Sequence, residues 1–271
     1  MTTIGNRFGV NTYSYTQTMT AGACLRHLAD EGVEEIELML FPGHIWPGDS
    51  PDAVMDARKA LADGGLKLTS INTPNIDLNI AAAAEEMRRA SLELNSAFLH
   101  LGSDLGAKAM ILGPGKPNPL FPLPSAVLEG YFFQALDTLL PLAARLDIEI
   151  WIENMPFAFL PDAESLMASL ARYGEADLKI CYDVANGHFI GEEPVEGLKT
   201  VASRLALVHL SDTTRQTFRH DAVGEGDLDF EVLPDAIAAV GHEERPVLEI
   251  ISRSPERDFP RSVAALKNYG F

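Results

Sequence analysis

The sequence predicts one (β/α)8 barrel of the α/β class spanning residues 1–271, and three observations predict it. Eight short apolar runs alternate with eight longer stretches of helical period. No linker, low-complexity tract or short-period repeat breaks the alternation. The 271-residue length is close to the roughly 250 residues at which such barrels fold as a single domain. A doubly wound sheet would need fewer strands or an added domain.

The first unit pairs a strand over 7–13 (RFGVNTY) with a helix near 20–31. The second pairs 34–40 (EEIELML) with 51–64, where Ser50-Pro51-Asp52 is a helix start and Gly64-Gly65 a stop. The third and fourth join 67–72 (KLTSIN) to 81–105 and 107–112 (AKAMIL) to 124–146. In the second half, the strand over 147–153 leads to a helix over 161–173 that starts at Pro161-Asp162. The strand over 178–183 precedes a helix over 194–203, and 205–210 precedes 230–240, which stops at Gly241. The last pair is 245–251 with 255–268. The loops FPGHIWPGD, NTPNIDLN and GPGKPNPLFPLP are long and rich in Pro and Gly, and in a barrel such loops wall the site.

Glu153, Asp183, His209 and Glu249 stand at or near the ends of the last four strands, in IEIWIEN, LKICYDV, LALVHL and RPVLEI. Roughly one strand–helix unit of chain separates each from the next, so a parallel barrel brings all four to one mouth. Any one of them alone reads as a cap, a salt bridge or a solvated loop residue. Three carboxylates and an imidazole at one point, however, call for a cation. The donor set is oxygen-rich with one borderline nitrogen. It favours one divalent ion, Mn²⁺ first, with Mg²⁺, Co²⁺ and Zn²⁺ also compatible. A metal on a carbonyl and its neighbouring hydroxyl acidifies the C–H between them and stabilises the resulting enediolate. Glu153 and Glu249 could carry that proton on opposite faces. Epimerisation, aldose–ketose isomerisation and dehydration all branch from that step. The first-half strand ends add Asn11, Tyr13, Glu37, Asn72 and Asn75. The first long loop could hold His44 and Trp46 over a small polar ligand, the indole against a sugar's apolar face or else tucked onto the barrel rim.

Composition narrows the function classes. A net charge of -18 with no dense basic run opposes nucleic-acid binding, which rests on Lys and Arg at phosphates. No window approaches the roughly 18 apolar residues of a membrane span, and MTTIGNRFGV carries no secretory pattern. Cys24 and Cys181 lie far apart without motif spacing, which reads as two reduced thiols in a cytoplasmic protein. The expected partner is a small sugar or polyol, with no nucleic acid and no membrane, and a homo-oligomer stays open.

WIEN around Glu153, CYDVANGH around Asp183, VHLSDT around His209 and LEI around Glu249 resemble the xylose isomerase-like TIM-barrel superfamily. That group includes sugar phosphate isomerases and epimerases, ketose 3-epimerases, inosose dehydratases and the family 2 AP endonucleases such as endonuclease IV. The resemblance runs from FGVNTYSY to LEI. It implies that the four residues hold the metal, with Glu153 and Glu249 as the acid/base pair. It also implies substrate contacts at Arg215, six residues after His209, and at His188, which follows Asp183 by five positions where epimerases usually have a shorter spacing. His220, before AVGEGDLDF, matches a loop that approaches the site, and Gly224 and Gly226 read as turn glycines. Phe159 stands where the epimerases carry a further glutamate, which weakens an assignment as a free-ketose 3-epimerase. LGPGKPNP gives little support for phosphate binding, because its prolines remove N–H donors.

The leading expectation is therefore a metal-dependent isomerase or epimerase of a small sugar, keto-sugar or polyol derivative. A keto-polyol dehydratase is the runner-up. An AP-endonuclease-like enzyme is remote, since the strand-three and strand-four histidines of that three-zinc site have no match in SINTPN and ILGPG. A non-catalytic barrel that binds a metabolite is the remaining alternative.

Overall fold

The computed structural model describes residues 4–271. Eight parallel strands close into a barrel in chain order, with the first paired to both the second and the eighth. The strands are β1 (Gly9–Asn11), β2 (Glu35–Met39), β3 (Lys67–Asn72), β4 (Ala109–Leu112), β5 (Glu149–Glu153), β6 (Lys179–Asp183), β7 (Leu205–Leu210) and β8 (Val247–Leu248). The helices are α1 (Ala21–Asp30), α2 (Pro51–Gly64), α3 (Glu85–Leu105), α4 (Ser125–Arg145), α5 (Ala163–Tyr173), α6 (Val184–Phe189), α7 (Pro194–Val201), α8 (Leu233–Ala239) and α9 (Pro255–Asn268).

Local chemistry sets most boundaries. Ser50 Oγ accepts from Ala53 N–H at the start of α2, and Gly65 ends it at φ 62°, a left-handed conformation that favours glycine. Asp162 caps α5 by accepting from Ser165 N–H at 2.8 Å. The first and last strands fall furthest short of the runs that the hydrophobic pattern predicts. β1 stops at Asn11, because Tyr13–Tyr15 turns into a 3-10 segment. Only Val247 and Leu248 of the last run keep ladder geometry. α3 begins at Glu85 rather than 81, and α6 is an additional helix that the pattern does not reveal.

Successive strand residues point to opposite faces. Val10, Ile36, Leu38, Ile150, Ile152, Ile180, Val208 and Leu248 therefore face the helices and join one large core. The alternate residues point into the barrel. Ala109, Ile111, Trp151, Cys181, Leu207 and Val247 form a second, smaller cluster there. Gly9 shares this interior, and a Cβ on it would lie 2.8 Å from Val247 Cγ2. The apolar plug closes the barrel from below. Two residues further along β5, β6 and β8 come Glu153, Asp183 and Glu249, with His209 two beyond Leu207 on β7.

Candidate metal centre and active site

The four strand-end residues meet above this plug. One ligand atom from each of Glu153, Asp183, His209 and Glu249 lies within 4.8 Å of the other three, and all four residues are buried. His209 Nδ1 is the hub. It lies 3.1 Å from Glu249 Oε2, 3.2 Å from Glu153 Oε1 and 3.8 Å from Asp183 Oδ2.

A carboxylate that the sequence marked only as a polar strand-end group orients this hub. Glu37, fully buried on β2, accepts from His209 Nε2 at 3.0 Å. In the neutral ring this puts the proton on Nε2 and turns the Nδ1 lone pair toward the three acids. Ser70 Oγ donates to Glu37 Oε2 at 2.6 Å, and the amides of Asn11 and Asn72 donate to Oε1 at 2.7 and 3.0 Å. The same two amides donate to Glu249 Oε1 at 3.2 and 3.1 Å, which leaves Oε2 facing the hub. The available signal was a Glu set between the apolar residues Ile36 and Leu38 of the second strand, in step with the inward positions.

Asp183 begins α6. Its Oδ1 accepts from Asn186 N–H at 2.7 Å, while its buried Oδ2 has no hydrogen-bond partner. An unpartnered buried carboxylate oxygen beside two further acids fits a divalent cation, because each acid otherwise raises the cost of ionising the next. Cys181 lies one layer below, within 4.8 Å of Glu153 and His209. Burial pushes its thiol well up, which keeps it protonated and argues against a thiolate ligand.

Burial raises the Glu153 carboxyl to about 7, with Asp183 and Glu37 adding to the rise and His209 opposing it. It also raises Glu249 well above the carboxylate range. Burial alone would lower His209, but Cys181, Glu37 and Glu249 hold it well above its ordinary value. Glu37 remains below the ordinary range: burial pushes it up, but His209 and its other donors outweigh that. Without a cation the cluster thus shares protons. A cation would replace them.

Glu153 and Glu249 open onto a cavity of about 370 Å³ walled by Tyr13, Asn72, Asn75, Met155, Phe157, Asn186, Phe218 and His220, among others. His220 Nδ1 lies 3.6 Å from Glu249 Oε2, 3.7 Å from Asp183 Oδ2 and 3.0 Å from Ser211 Oγ. Burial lowers its pKa, so the ring is neutral. Its loop is pinned by Asp212, whose backbone pairs with Asp221 and whose Oδ2 accepts from Gly224 N–H at 2.8 Å. A Cβ on Gly226 would meet Thr213 O at 2.1 Å, so that turn needs glycine.

The structure does not bring the other three expected substrate residues to this cavity. His188 Nε2 bonds Asp227 Oδ1 at 2.7 Å in a separate cleft that also includes Arg215. α6 starts immediately after Asp183, so the residue three positions on shares that side of the helix and the residue five on is rotated away. Asn186 occupies the cavity wall instead. Arg215 pairs with Glu193. Trp46 packs edge-on against Phe98, with ring centroids 5.0 Å apart, and the His44 before it is tied to Thr12 Oγ1 and Met19 O.

A family model described as "Xylose isomerase-like TIM barrel" matches residues 25–269. The chain belongs to that family. Among solved structures it is similar to a D-tagatose 3-epimerase-like protein, with 20% identity, a TM-score of 0.83, and 97% of this chain and 96% of the other covered. An L-ribulose 3-epimerase gives 17% identity and a TM-score of 0.80 over 97% of this chain and 95% of its own. An IOLI protein with a bound zinc atom gives 14% identity and a TM-score of 0.77 over 96% and 95%. At these identities the three structural likenesses speak for the barrel. Among the described residues no helix is long and apolar enough to cross a membrane.

Proposed function

We propose that the protein is a divalent-metal-dependent isomerase or epimerase acting on a small sugar, keto-sugar or polyol derivative. One observation carries the reading. Two carboxylates, Glu153 and Glu249, border the same cavity from β5 and the end of β8, and each approaches His209 Nδ1. Glu153, Asp183, His209 and Glu249 would hold the ion, with Mn²⁺ favoured by the three-oxygen, one-nitrogen donor set and Mg²⁺, Co²⁺ and Zn²⁺ also fitting it. When bound, the cation supplies positive charge to the substrate oxygens on which negative charge develops.

The chain's own residues perform the proton transfer. Glu153 as carboxylate takes the proton from the carbon beside the substrate carbonyl, and the C–H electron pair stays with the substrate. Glu249 as carboxylic acid returns a proton, to the opposite face in epimerisation or to the neighbouring carbon in isomerisation, where the hydroxyl proton also passes to the former carbonyl oxygen. Neutral His220 stands within reach of a substrate hydroxyl above Glu249. Buried Cys24 and Cys181 fit a reduced, cytoplasmic setting.

The experiment is turnover in D₂O with NMR of the products. The expected outcome is deuterium at one carbon with carbon skeleton and oxygen count retained. Loss of water would instead establish the dehydratase reading, and metal-dependent incision of an abasic-site duplex would replace both. Glu153→Gln should reduce turnover by at least about 100-fold, and metal content measured in parallel separates loss of the ion from loss of the acid/base group. Undiminished turnover with metal bound would remove Glu153 from the acid/base role.

A further inference from the structure

The cavity has two unlike halves. Its floor is polar: beside the metal-site residues, Asn75 and Asn186 line it, each keeping one buried amide atom without a partner, Nδ2 on Asn75 and Oδ1 on Asn186. Those atoms offer one donor and one acceptor to hydroxyl groups. Its outer wall is apolar. Phe157 meets Phe218 edge-on with centroids 5.3 Å apart, and Phe218 meets His220 at 5.2 Å, so an aromatic wall runs from the mouth to the edge of the metal site. Ile76, Phe157 and Ile251 line the same cavity and remain 53%, 52% and 41% exposed. Single exposed hydrophobic residues are ordinary, but several gathered at one mouth mark a surface that a ligand covers.

Charge settles what that ligand is not. Among the described residues no Lys or Arg lines the cavity. Lys116 is turned to the backbone carbonyl oxygens of Asn75 and Ile76, and Arg215 to Glu193. A phosphoryl group carries close to two negative charges and is recognised through Arg, Lys or several N–H donors. Beside three carboxylates whose charge one divalent ion would only partly offset, and without such a partner, it would be disfavoured.

We propose that the substrate is an uncharged sugar or polyol derivative bearing an apolar substituent. Its hydroxylated end lies on the metal-site floor and its substituent lies against Phe157, Phe218, Ile76 and Ile251. This rests on the isomerase or epimerase reading of the same site and adds the substrate class.

The test uses the full chain with Mg²⁺, labelled at Met and Ile methyl groups and titrated with three probes. These are phenyl β-D-glucopyranoside, methyl β-D-glucopyranoside and D-glucose 6-phosphate. The phenyl glycoside should shift the Met155, Ile76 and Ile251 methyl signals saturably, with a dissociation constant at least about tenfold below that of the methyl glycoside. The phosphate should bind most weakly. Phe157→Ala and Phe218→Ala, each verified as folded by thermal unfolding, should shrink the phenyl advantage to less than about threefold. Equal affinity of phenyl and methyl glycosides, preference for the phosphate, or no response to the phenyl glycoside overturns the proposal. So does a dimer in sedimentation that buries these methyl groups and that Phe157→Ala dissociates. Deuterium exchange into substrates without any preference for an apolar substituent would remove this proposal and leave the isomerase reading; the preference without exchange would do the reverse.

Discussion

His209 can present Nδ1 to a cation only while its other nitrogen has a fixed partner, and Glu37 is that partner. Glu37→Gln offers His209 a neutral amide in place of a carboxylate, so the tautomer and ring orientation lose their anchor. Metal affinity should fall by about 10–100-fold, as for other residues that orient metal-bound histidines. Isothermal titration with Mn²⁺ measures this, and an unchanged constant would mean Glu37 does not orient the ring. The acids make a second prediction. In the metal-free protein Glu153 binds its proton more tightly folded than unfolded, since burial raises it from 4.5 to about 7. Its contribution to stability is then complete below about 4.5 and is lost as pH climbs through about 7. Raised His209 acts in the same sense, from its ordinary 6.5 upward, whereas lowered Glu37 contributes above its ordinary range and loses that contribution in acid. Urea titrations in chelator should therefore show stability declining from pH 5 to pH 8, and added Mn²⁺ should reverse the slope, because metal binding needs the deprotonated acids. Glu153, Asp183, His209 and Glu249 were legible as candidates because each ends an apolar run. Glu37 was visible only as a strand-end polar group, since nothing local says which residue across the barrel it will meet.

α6 shows why loop residues are harder to place than strand ends. Six residues after β6 become helical once Asp183 Oδ1 accepts from Asn186 N–H, which fixes the first turn. A spacing of three then lands on the cavity and a spacing of five lands outside it. The sequence placed a histidine five positions on, and the resemblance to a family with a histidine after its strand-six aspartate drew attention there. The same device, with no link to the metal, starts α5 at Asp162. Asp162→Ala should cost about 1 kcal/mol in urea unfolding and leave metal affinity intact. A loss in metal affinity would show that α5 supports the site. β1 and β8 also illustrate limits on boundaries. Their apolar runs continue beyond the ladder because the chain leaves the barrel for loops that are themselves buried: Thr12, Tyr15 and Ile250 are all buried outside strand geometry.

At the scale of the molecule, one barrel carries the site at the end where the strands finish, and an apolar plug lies beneath the buried acids. A cluster with three carboxylates and Glu37 around one imidazole is costly to assemble without a counter-charge. Cation binding should therefore stabilise the whole fold. At a Mn²⁺ concentration 100 times the dissociation constant the gain is about 2.7 kcal/mol, seen as a raised unfolding temperature that chelator abolishes. No change in that temperature would argue that the four residues hold no ion.

What the sequence by itself determined is the alternation of strand and helix, and with it the convergence of Glu153, Asp183, His209 and Glu249. Period-two burial and the parallel barrel together leave those strand ends no other meeting place. Only the tertiary structure decided that Glu37 orients His209, that Asn186 rather than His188, Arg215 or Trp46 joins His220 at the cavity, and that the mouth is apolar and, among the described residues, lined by no Lys or Arg. Those outcomes depend on helix phase and on contacts between residues far apart in the chain, and no local pattern encodes either.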